Sequence, residues 1–127
     1  MSKDDTAGQS RLSLLPLRRG VLLPGVTLPI PVGRARSVAA LAAMNPGDEI
    51  AVGVQFDPTV DRPGLSDLHR IATRARIVKI KRREDGRVVV VLEGLERMRL
   101  ESLETIEPTM RVTATPLTEQ KATLEAK

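Results

Sequence analysis

The sequence predicts one mainly β domain of the α+β class, in which small bent sheets form a barrel-like body with one short helix. Its 127 residues can build one modest core but are too few for two ordinary domains. Nine prolines and nine glycines interrupt the apolar segments, which leaves room for short strands and for one helix. Apolar and charged residues alternate in the second half, as is typical of strands with one covered face.

The N-terminal residues 1–10 are small, polar and charged, so we expect a disordered tail there and a folded body over residues 11–116. Residues 12–17 and 27–32 are apolar but contain proline, which sheets accept at strand edges and ends. Both segments are predicted to be short strands. The Pro24-Gly25 pair between them is a turn signal, and we expect it to join the two strands.

The predicted helix covers residues 34–44, which are rich in alanine and leucine. Val38 and Leu41 are spaced to share one helical face. The following Pro46-Gly47 pair ends the helix, because proline disfavours helical backbone in the residue before it and glycine supports a turn of positive φ. No other helix is predicted within the folded body.

The next part of the chain contains predicted strands, and in one of them the alternation of apolar residues shifts by one position. Residues 48–55 are predicted to be a strand, and residues 57–67, with two prolines and a glycine, a surface loop. In the strand predicted over residues 68–81, apolar residues occupy odd positions up to Ile77 and even positions from Val78. A slip of one residue moves side chains to the opposite face, so this change predicts a β-bulge.

The last part of the chain contains a hairpin signal, Glu-Asp-Gly over residues 84–86, followed by an apolar β-branched run over residues 87–92. We expect Gly94 to end that run, with a further strand after it and a last strand over residues 110–116. Residues 117–127 lack proline and glycine. We expect them to be a linker or the start of a C-terminal helix that leads into a larger protein.

Composition excludes several classes of function. Phe56 is the only aromatic residue, so no Trp or Tyr is present to stack on bases or sugars. The absence of cysteine excludes disulfides and thiolate catalysis. His69 is the only histidine and no carboxylates cluster at ligand spacing, so no metal site is predicted. No signal peptide or bilayer-spanning stretch is found, which favours a cytoplasmic protein without a membrane partner.

Catalytic motifs are missing as well. Gly20 and Gly25 have the spacing of the two glycines in a phosphate-binding loop. The motif requires lysine directly after the second glycine, and Val26 stands there instead. No serine lies in a G-x-S-x-G motif, and the closely spaced acidic pairs are interpreted as solvated faces. We therefore predict neither catalytic residues nor a cofactor within this sequence.

Positive charge is concentrated between residues 62 and 99, with eleven Lys or Arg against five Asp or Glu, in a chain of net charge +4. Five cations of the predicted hairpin are candidate contacts for a polyanion or an acidic client: Arg74, Arg76, Lys81, Arg82 and Arg83. The favoured interpretation is a solvent-exposed hairpin whose cations prevent its edge strands from pairing with strands of other molecules. Nucleic-acid binding is the less favoured alternative, because no aromatic residues alternate with the cations.

Two ordered blocks carry a family resemblance. The first reads LPLR, VLLPG and LPIPVGR within residues 15–34, and is followed by Ser37 and the alanine-rich helix. The second contains IATRARI over residues 71–77, then Asp-Gly, a valine run, Glu-Gly and an arginine. Together, over roughly residues 12–103, they resemble the N-terminal part of ATP-dependent Lon proteases. Leu23 and Ala72 depart from the family pattern, which usually has an aromatic residue and a glycine there.

The resemblance implies a PUA-like substrate-binding domain. In the whole enzyme such a domain precedes an AAA+ ATPase and a Ser-Lys peptidase, assembled as a homo-hexamer. ATP, Mg²⁺ and the catalytic pair would belong to that remainder. The same resemblance implies that the domain recognises unfolded or degron-bearing proteins and delivers them to the ATPase. A stand-alone adaptor with this type of domain is the alternative.

Candidate client contacts surround the predicted turn: Leu22, Leu23, Pro24, Val26 and Pro29. A turn at the surface leaves part of such an apolar group exposed. Exposed apolar surface suits non-native chains, which present apolar segments of no fixed sequence. The same side chains could instead fill the small core, and the sequence does not decide between these two interpretations.

Overall fold

The computed structural model describes residues 10–18, 20–60, 63–105 and 111–117. Within them lie six strands, one α-helix and a short 3-10 turn at Leu65–Asp67, which confirms the mainly β class. The tail expected over residues 1–10 lies outside the described residues except for Ser10, which instead begins β1. The linker or helix start expected over residues 117–127 lies outside them except for Leu117, which is not in a helix. The elements are β1 (Ser10–Leu17), β2 (Thr27–Val32), α1 (Ala35–Ala42), β3 (Glu49–Val54), β4 (Ile71–Arg82), β5 (Val88–Thr105) and β6 (Arg111–Pro116).

The strands form one sheet in the order β2-β5-β4-β3-β1-β6, and β6 also pairs with β5. This second pairing closes five strands into a ring, while β2 is an edge strand on the outside of β5. β1 and β3 run parallel, and the other pairs run antiparallel. The strands on either side of the Pro24-Gly25 turn are therefore present as predicted, but they do not pair with each other.

Apolar side chains from both faces of the inner strands form two core clusters. Leu15 and Val52 belong to the first cluster, whereas their neighbours Leu14 and Ala51 belong to the second. Successive residues of a strand point to opposite faces, so β1 and β3 are covered on both sides. The two halves of β5 contribute to different clusters, because this long strand bends around the ring.

The bulge predicted in β4 is confirmed. Ile77 pairs with Leu92 and Lys79 with Val91, so Val78 is an extra residue without a partner on β5. Ile77 is buried, Val78 is exposed, and Ile80 returns to pack against the first cluster. The one-residue insertion thus restores the apolar phase of the strand after the bulge.

The expectation that Gly94 ends a strand is wrong, since β5 continues through it to Thr105. Across this point Arg74 pairs with Glu96 and Ala75 with Gly94, which leaves Leu95 as an extra residue on β5. The bulge bends the strand without interrupting it. Glycine is needed at position 94 for a different reason, the close approach of the loop over residues 20–26.

The predicted helix is present as α1, and its apolar face packs on the first cluster through Val38 and Leu41. It ends before Asn45, whose backbone N–H donates to the Asp48 carboxylate at 2.9 Å. Gly47 follows with a φ of 98°, as the turn signal predicts.

Candidate functional site

The loop over residues 20–26, here called the Pro-Gly loop, contains a tight turn at Pro24-Gly25. The backbone N–H of Val26 donates to the carbonyl of Leu23 at 3.1 Å. Gly25 has a φ of 84°, a conformation that other residues rarely adopt. A type II turn requires a positive φ at its third position, which glycine adopts readily, and proline is common at its second position. The predicted turn is confirmed.

Backbone hydrogen bonds fix this turn on β5. The N–H of Gly25 donates to the carbonyl of Gly94, and the N–H of Gly94 donates to the carbonyl of Val26, both at 2.8 Å. From β4, the buried hydroxyl of Thr73 donates to the carbonyl of Leu22 at 2.6 Å. These contacts satisfy the backbone of a loop that has no strand partner of its own. The loop is therefore held in place by residues far away in the sequence.

Anchoring the loop in this way presents apolar side chains to solvent. Val21, Leu23 and Leu28 are exposed by 59%, 43% and 38%. Pro24 and Pro29, both among the predicted client contacts, are also exposed, and Val26 is partly buried. We call these apolar residues of the Pro-Gly loop and the start of β2, namely Val21, Leu23, Pro24, Val26, Leu28 and Pro29, the apolar patch.

Leu22 does not belong to that patch. Its side chain is 1% exposed and lies in the first core cluster, so it has no surface to offer a client. Its neighbour Val21 points outward instead and was missed, because a loop lacks the regular period that assigns side chains to faces. Leu28 was missed as well, because alternation along β2 places it on the same face as Ile30 and Val32, which pack in the first cluster, whereas Leu28 is exposed at the start of the strand.

Two depressions flank the apolar patch. A groove of about 570 Å³ separates the end of β1 from β2 and is bounded by Leu17, Val21 and Leu28 among others. On the other side, a cleft of about 360 Å³ opens between the Pro-Gly loop and the paired strands β4 and β5. We call it the β4–β5 cleft. Val21 contributes to both depressions, and Leu23 to the cleft.

The free edge of β2 borders the groove. Among the described strands β2 pairs only with β5, and two of its residues, Pro29 and Pro31, have no backbone N–H to donate. A strand with these prolines cannot pair regularly with an added strand along its free edge. Contact with a partner at this edge therefore depends on side chains.

Arg34 braces the opposite wall of the groove. Its guanidinium donates to the amide oxygen of Gln55 at 2.6 Å and also to the carbonyl of Pro16. The buried amide of Gln55 donates in turn to the carbonyls of Asp57 and Val60, both at 2.9 Å. One arginine thus links the end of β1 with the loop that follows β3, and its planar fork suits the two acceptors.

Two of the five predicted polyanion contacts are neutralised by carboxylates. Arg74 forms ion pairs with Glu49 and Glu96, from the strands on either side of it. Burial acts to lower the pKa of Arg74, but the hydrogen bonds and charges of both glutamates outweigh it and raise the pKa above its ordinary value. Arg76 pairs with Glu93 at 2.6 Å.

The other three predicted cations, Lys81, Arg82 and Arg83, are exposed at the end of the β4–β5 hairpin. Within the described residues, no carboxylate lies within salt-bridge distance of them. The structure therefore brings together three of the five predicted cations at the end of the hairpin and separates them from Arg74 and Arg76. The sequence does not show which of these cations form ion pairs, because that depends on which residues lie opposite each other on neighbouring strands.

His69 is exposed and packs against Phe56, with ring centroids 4.1 Å apart and ring planes tilted by 44°. Among the described residues, no group of three or more His, Asp or Glu side chains is arranged to hold a metal ion. No helix in the described ranges is long and apolar enough to span a bilayer.

Comparison with known proteins assigns the family. Residues 11–127 match the model of the ATP-dependent protease La (LON) substrate-binding domain. The chain belongs to the Lon substrate-binding domain family. It is 49% identical over 110 residues to Lon protease 4 of Sorangium cellulosum, covering 87% of this chain and 14% of that one. With Lon protease of Escherichia coli K12 it shares 38% over 93 residues, covering 72% and 12%. The chain thus spans about one seventh of the length of such relatives.

Solved structures confirm the Lon-type fold. The N-terminal domain of a Mycobacterium avium complex Lon protease matches with a TM-score of 0.63 at 17% identity, covering 87% of this chain and 56% of that one. A Lon N-terminal domain protein from Xanthomonas campestris matches with a TM-score of 0.60 at 24% identity, covering 86% and 60%.

The residues that carried the resemblance in the sequence share a structural task. Gly25, Thr73 and Gly94 fasten the Pro-Gly loop, and Arg34 braces the groove beside it. The Lon-like blocks in this sequence therefore coincide with the contacts that position the apolar patch.

Proposed function

We propose that this domain captures unfolded or degron-bearing protein segments on the apolar patch, on behalf of an ATP-dependent Lon protease. The observation that carries the proposal is the combination of exposed apolar side chains with a fixed backbone at the Pro-Gly loop. The family supports a role in substrate binding. The kind of client, and the delivery of that client to an ATPase, belong to the proposal.

The physics of the patch suits weak and permissive capture. Burial of apolar surface contributes about 25 cal/mol per Å², so a few side chains give only a modest gain in free energy. Ordering the loop would cost free energy on binding, but its hydrogen bonds already hold it in place. Contact through side chains, at an edge that resists strand addition, places little demand on client sequence.

Assembly would compensate for the weakness of one patch. We propose that the whole protein forms a homo-hexamer, in which several patches contact one client and raise its apparent affinity. ATP and Mg²⁺ would then serve the ATPase and peptidase parts outside this sequence, and the cytoplasm would be the place of action. A stand-alone adaptor with the same patch remains the alternative to a domain of the complete enzyme.

The test is chemical-shift mapping of the 127-residue chain with a permanently unfolded client. We expect the largest shifts at Val21, Leu23 and Leu28, and weaker binding when Leu23 is changed to Ser. Val78→Ser is the matched control, because Val78 is also an exposed apolar residue and lies on the hairpin away from the patch. Shifts confined to the hairpin, or equal losses in both variants, would argue against the patch.

A second candidate function, binding of a polyanion, rests on the exposed cluster Lys81, Arg82 and Arg83. Such binding depends strongly on salt, because counterions are released from the polyanion. Changing Arg82 and Arg83 to Glu should abolish salt-sensitive binding of a short duplex DNA probe, whereas Arg76→Gln should have little effect because Arg76 is paired with Glu93. No binding of the probe at low salt would exclude this candidate.

A further inference from the structure

We propose that the β4–β5 cleft selects client segments in which an apolar side chain is accompanied by a nearby carboxylate. The geometry that points to this preference is the meeting of an apolar floor with the cationic side chains of Arg70 and Arg97. The proposal rests on the proposed function, since it specifies the class of segment that the apolar patch receives.

The floor of the cleft is apolar and accessible. Val21 and Leu23 from the Pro-Gly loop face Ile71 of β4, which is 41% exposed. The volume of about 360 Å³ is at the lower end of pockets that hold small ligands. It therefore suits an apolar side chain and its immediate neighbours rather than a folded surface.

The charged residues that line the cleft are cationic. They are Arg70 and Arg97, and no Asp or Glu is among the lining residues that the structure describes. The guanidinium of Arg70 donates to the carbonyls of Leu100 and Glu101 at 3.0 and 3.4 Å. These neutral acceptors orient Arg70 without cancelling its charge.

Arg97 completes the cationic side. It lies opposite Thr73 in the pairing of β4 with β5, and its side chain is exposed. Within the described residues, no carboxylate lies within salt-bridge distance of Arg97. This contrasts with Arg74 and Arg76 on the adjoining strand, which are neutralised by glutamates. The strands thus place cations that are paired with glutamates in one region, and beside the cleft they place cations that have no acidic partner among the described residues.

A carboxylate on the client is the group that complements this arrangement. Arginine binds carboxylates with two parallel hydrogen bonds, which gives direction as well as attraction. The apolar wall reduces screening by water at one side of the pair. A lysine at the same client position would meet like charges, so the cleft should distinguish acidic from basic segments of equal apolar content.

The experiment compares three labelled peptides by fluorescence anisotropy on the 127-residue chain. They share one apolar core and differ at two flanking positions, which are Glu, Gln or Lys. We expect the Glu peptide to bind roughly fivefold more tightly than the Gln peptide at low salt, consistent with one or two partly exposed ion pairs. The Lys peptide should bind most weakly. The difference between Glu and Gln should shrink as salt rises.

Single substitutions test which residues produce the preference for the Glu peptide. Arg97→Gln should remove most of the preference for Glu, whereas Lys79→Gln, with the same loss of charge at an exposed position on the hairpin outside the cleft lining, should retain it. Ile71→Ser should lower the affinity for all three peptides by a similar factor, because it changes the apolar floor of the cleft. Circular dichroism and thermal melts verify that each exposed substitution leaves the fold intact.

Two results would overturn the inference: equal affinity for the Glu and Gln peptides, or an equal loss of preference in the Arg97 and Lys79 variants. The first leaves client capture standing as long as the Gln peptide binds and the Leu23→Ser variant weakens it. Absence of binding by all three peptides, by contrast, would count against capture itself.

Discussion

Gly94 of β5 lies directly against the carbonyl group of Leu23. A side-chain Cβ at position 94 would stand 2.9 Å from the Leu23 carbonyl carbon and closer still to its oxygen, with the Cα of Pro24 at 3.3 Å. All three neighbours are backbone atoms, which cannot rotate away as a side chain can. The position of the apolar patch therefore depends on the absence of a side chain at residue 94.

Gly94→Ala should consequently displace the Pro-Gly loop and destabilise the domain by about 1–3 kcal/mol, as overpacking of a close contact does. Urea denaturation measures the change. Gly33→Ala is the matched control, because nothing lies within 4 Å of a Cβ at that exposed position and its φ is not positive. That control should be neutral or slightly stabilising. Equal effects of the two substitutions would contradict the close contact.

The contact between Gly94 and Leu23 also shows what the sequence could reveal. The Pro24-Gly25 turn and the bulge at Val78 follow from local rules, and both were predicted. Gly94 was interpreted as a strand break because glycine often has that role. Its actual role depends on a loop much earlier in the chain, which no local pattern encodes.

The candidate site was predictable to a similar extent. The predicted apolar contacts do surround the observed Pro24-Gly25 turn, but they include the buried Leu22 and omit the exposed Val21, because exposure in a loop depends on what the loop packs against. Arg74 was grouped with the exposed cations, although its acidic partners Glu49 and Glu96 come from strands that the sequence does not show to be its neighbours. Topology decided each of these differences.

Thr73 provides a second test of the loop anchor. Thr73→Val retains the shape of the side chain but leaves the buried carbonyl of Leu22 without its donor at 2.6 Å. An unsatisfied buried polar group costs about 1–3 kcal/mol, so urea denaturation should show a loss of that size. We expect client affinity to fall as well, because the loop is then less fixed. Thr27→Val, at an exposed position on β2, should change stability by no more than about 0.5 kcal/mol.

Asp57 gives a prediction for the dependence on pH. The hydroxyl and the backbone N–H of Thr59 donate to its carboxylate at 2.7 and 2.9 Å, and both bonds lower the pKa of Asp57 below its ordinary value of 3.8. A lowered folded-state pKa stabilises the fold above the unfolded value, and this contribution is lost as pH falls through the folded value. An NMR titration of the Asp57 carboxyl carbon should therefore show a midpoint below 3.8. Thr59→Val should move that midpoint upward, and an unchanged midpoint would exclude the hydroxyl as its cause.

The neighbours Leu22 and Leu23 should respond to mutation in opposite ways. Leu22 is fully buried in the first cluster, so Leu22→Ala should cost about 2–5 kcal/mol of unfolding free energy through lost burial and a residual cavity. Leu23 is 43% exposed, so Leu23→Ser should leave stability within about 0.5 kcal/mol of the parent chain. The two substitutions should have the opposite ranking in their effect on client binding, measured well below the melting temperature of each variant. Leu23→Ser should then weaken capture of an unfolded client, while the folded fraction of Leu22→Ala should retain most of it. If Leu22→Ala lost binding in proportion to Leu23→Ser while still folded, the outward face of the Pro-Gly loop would not be the surface that the client contacts.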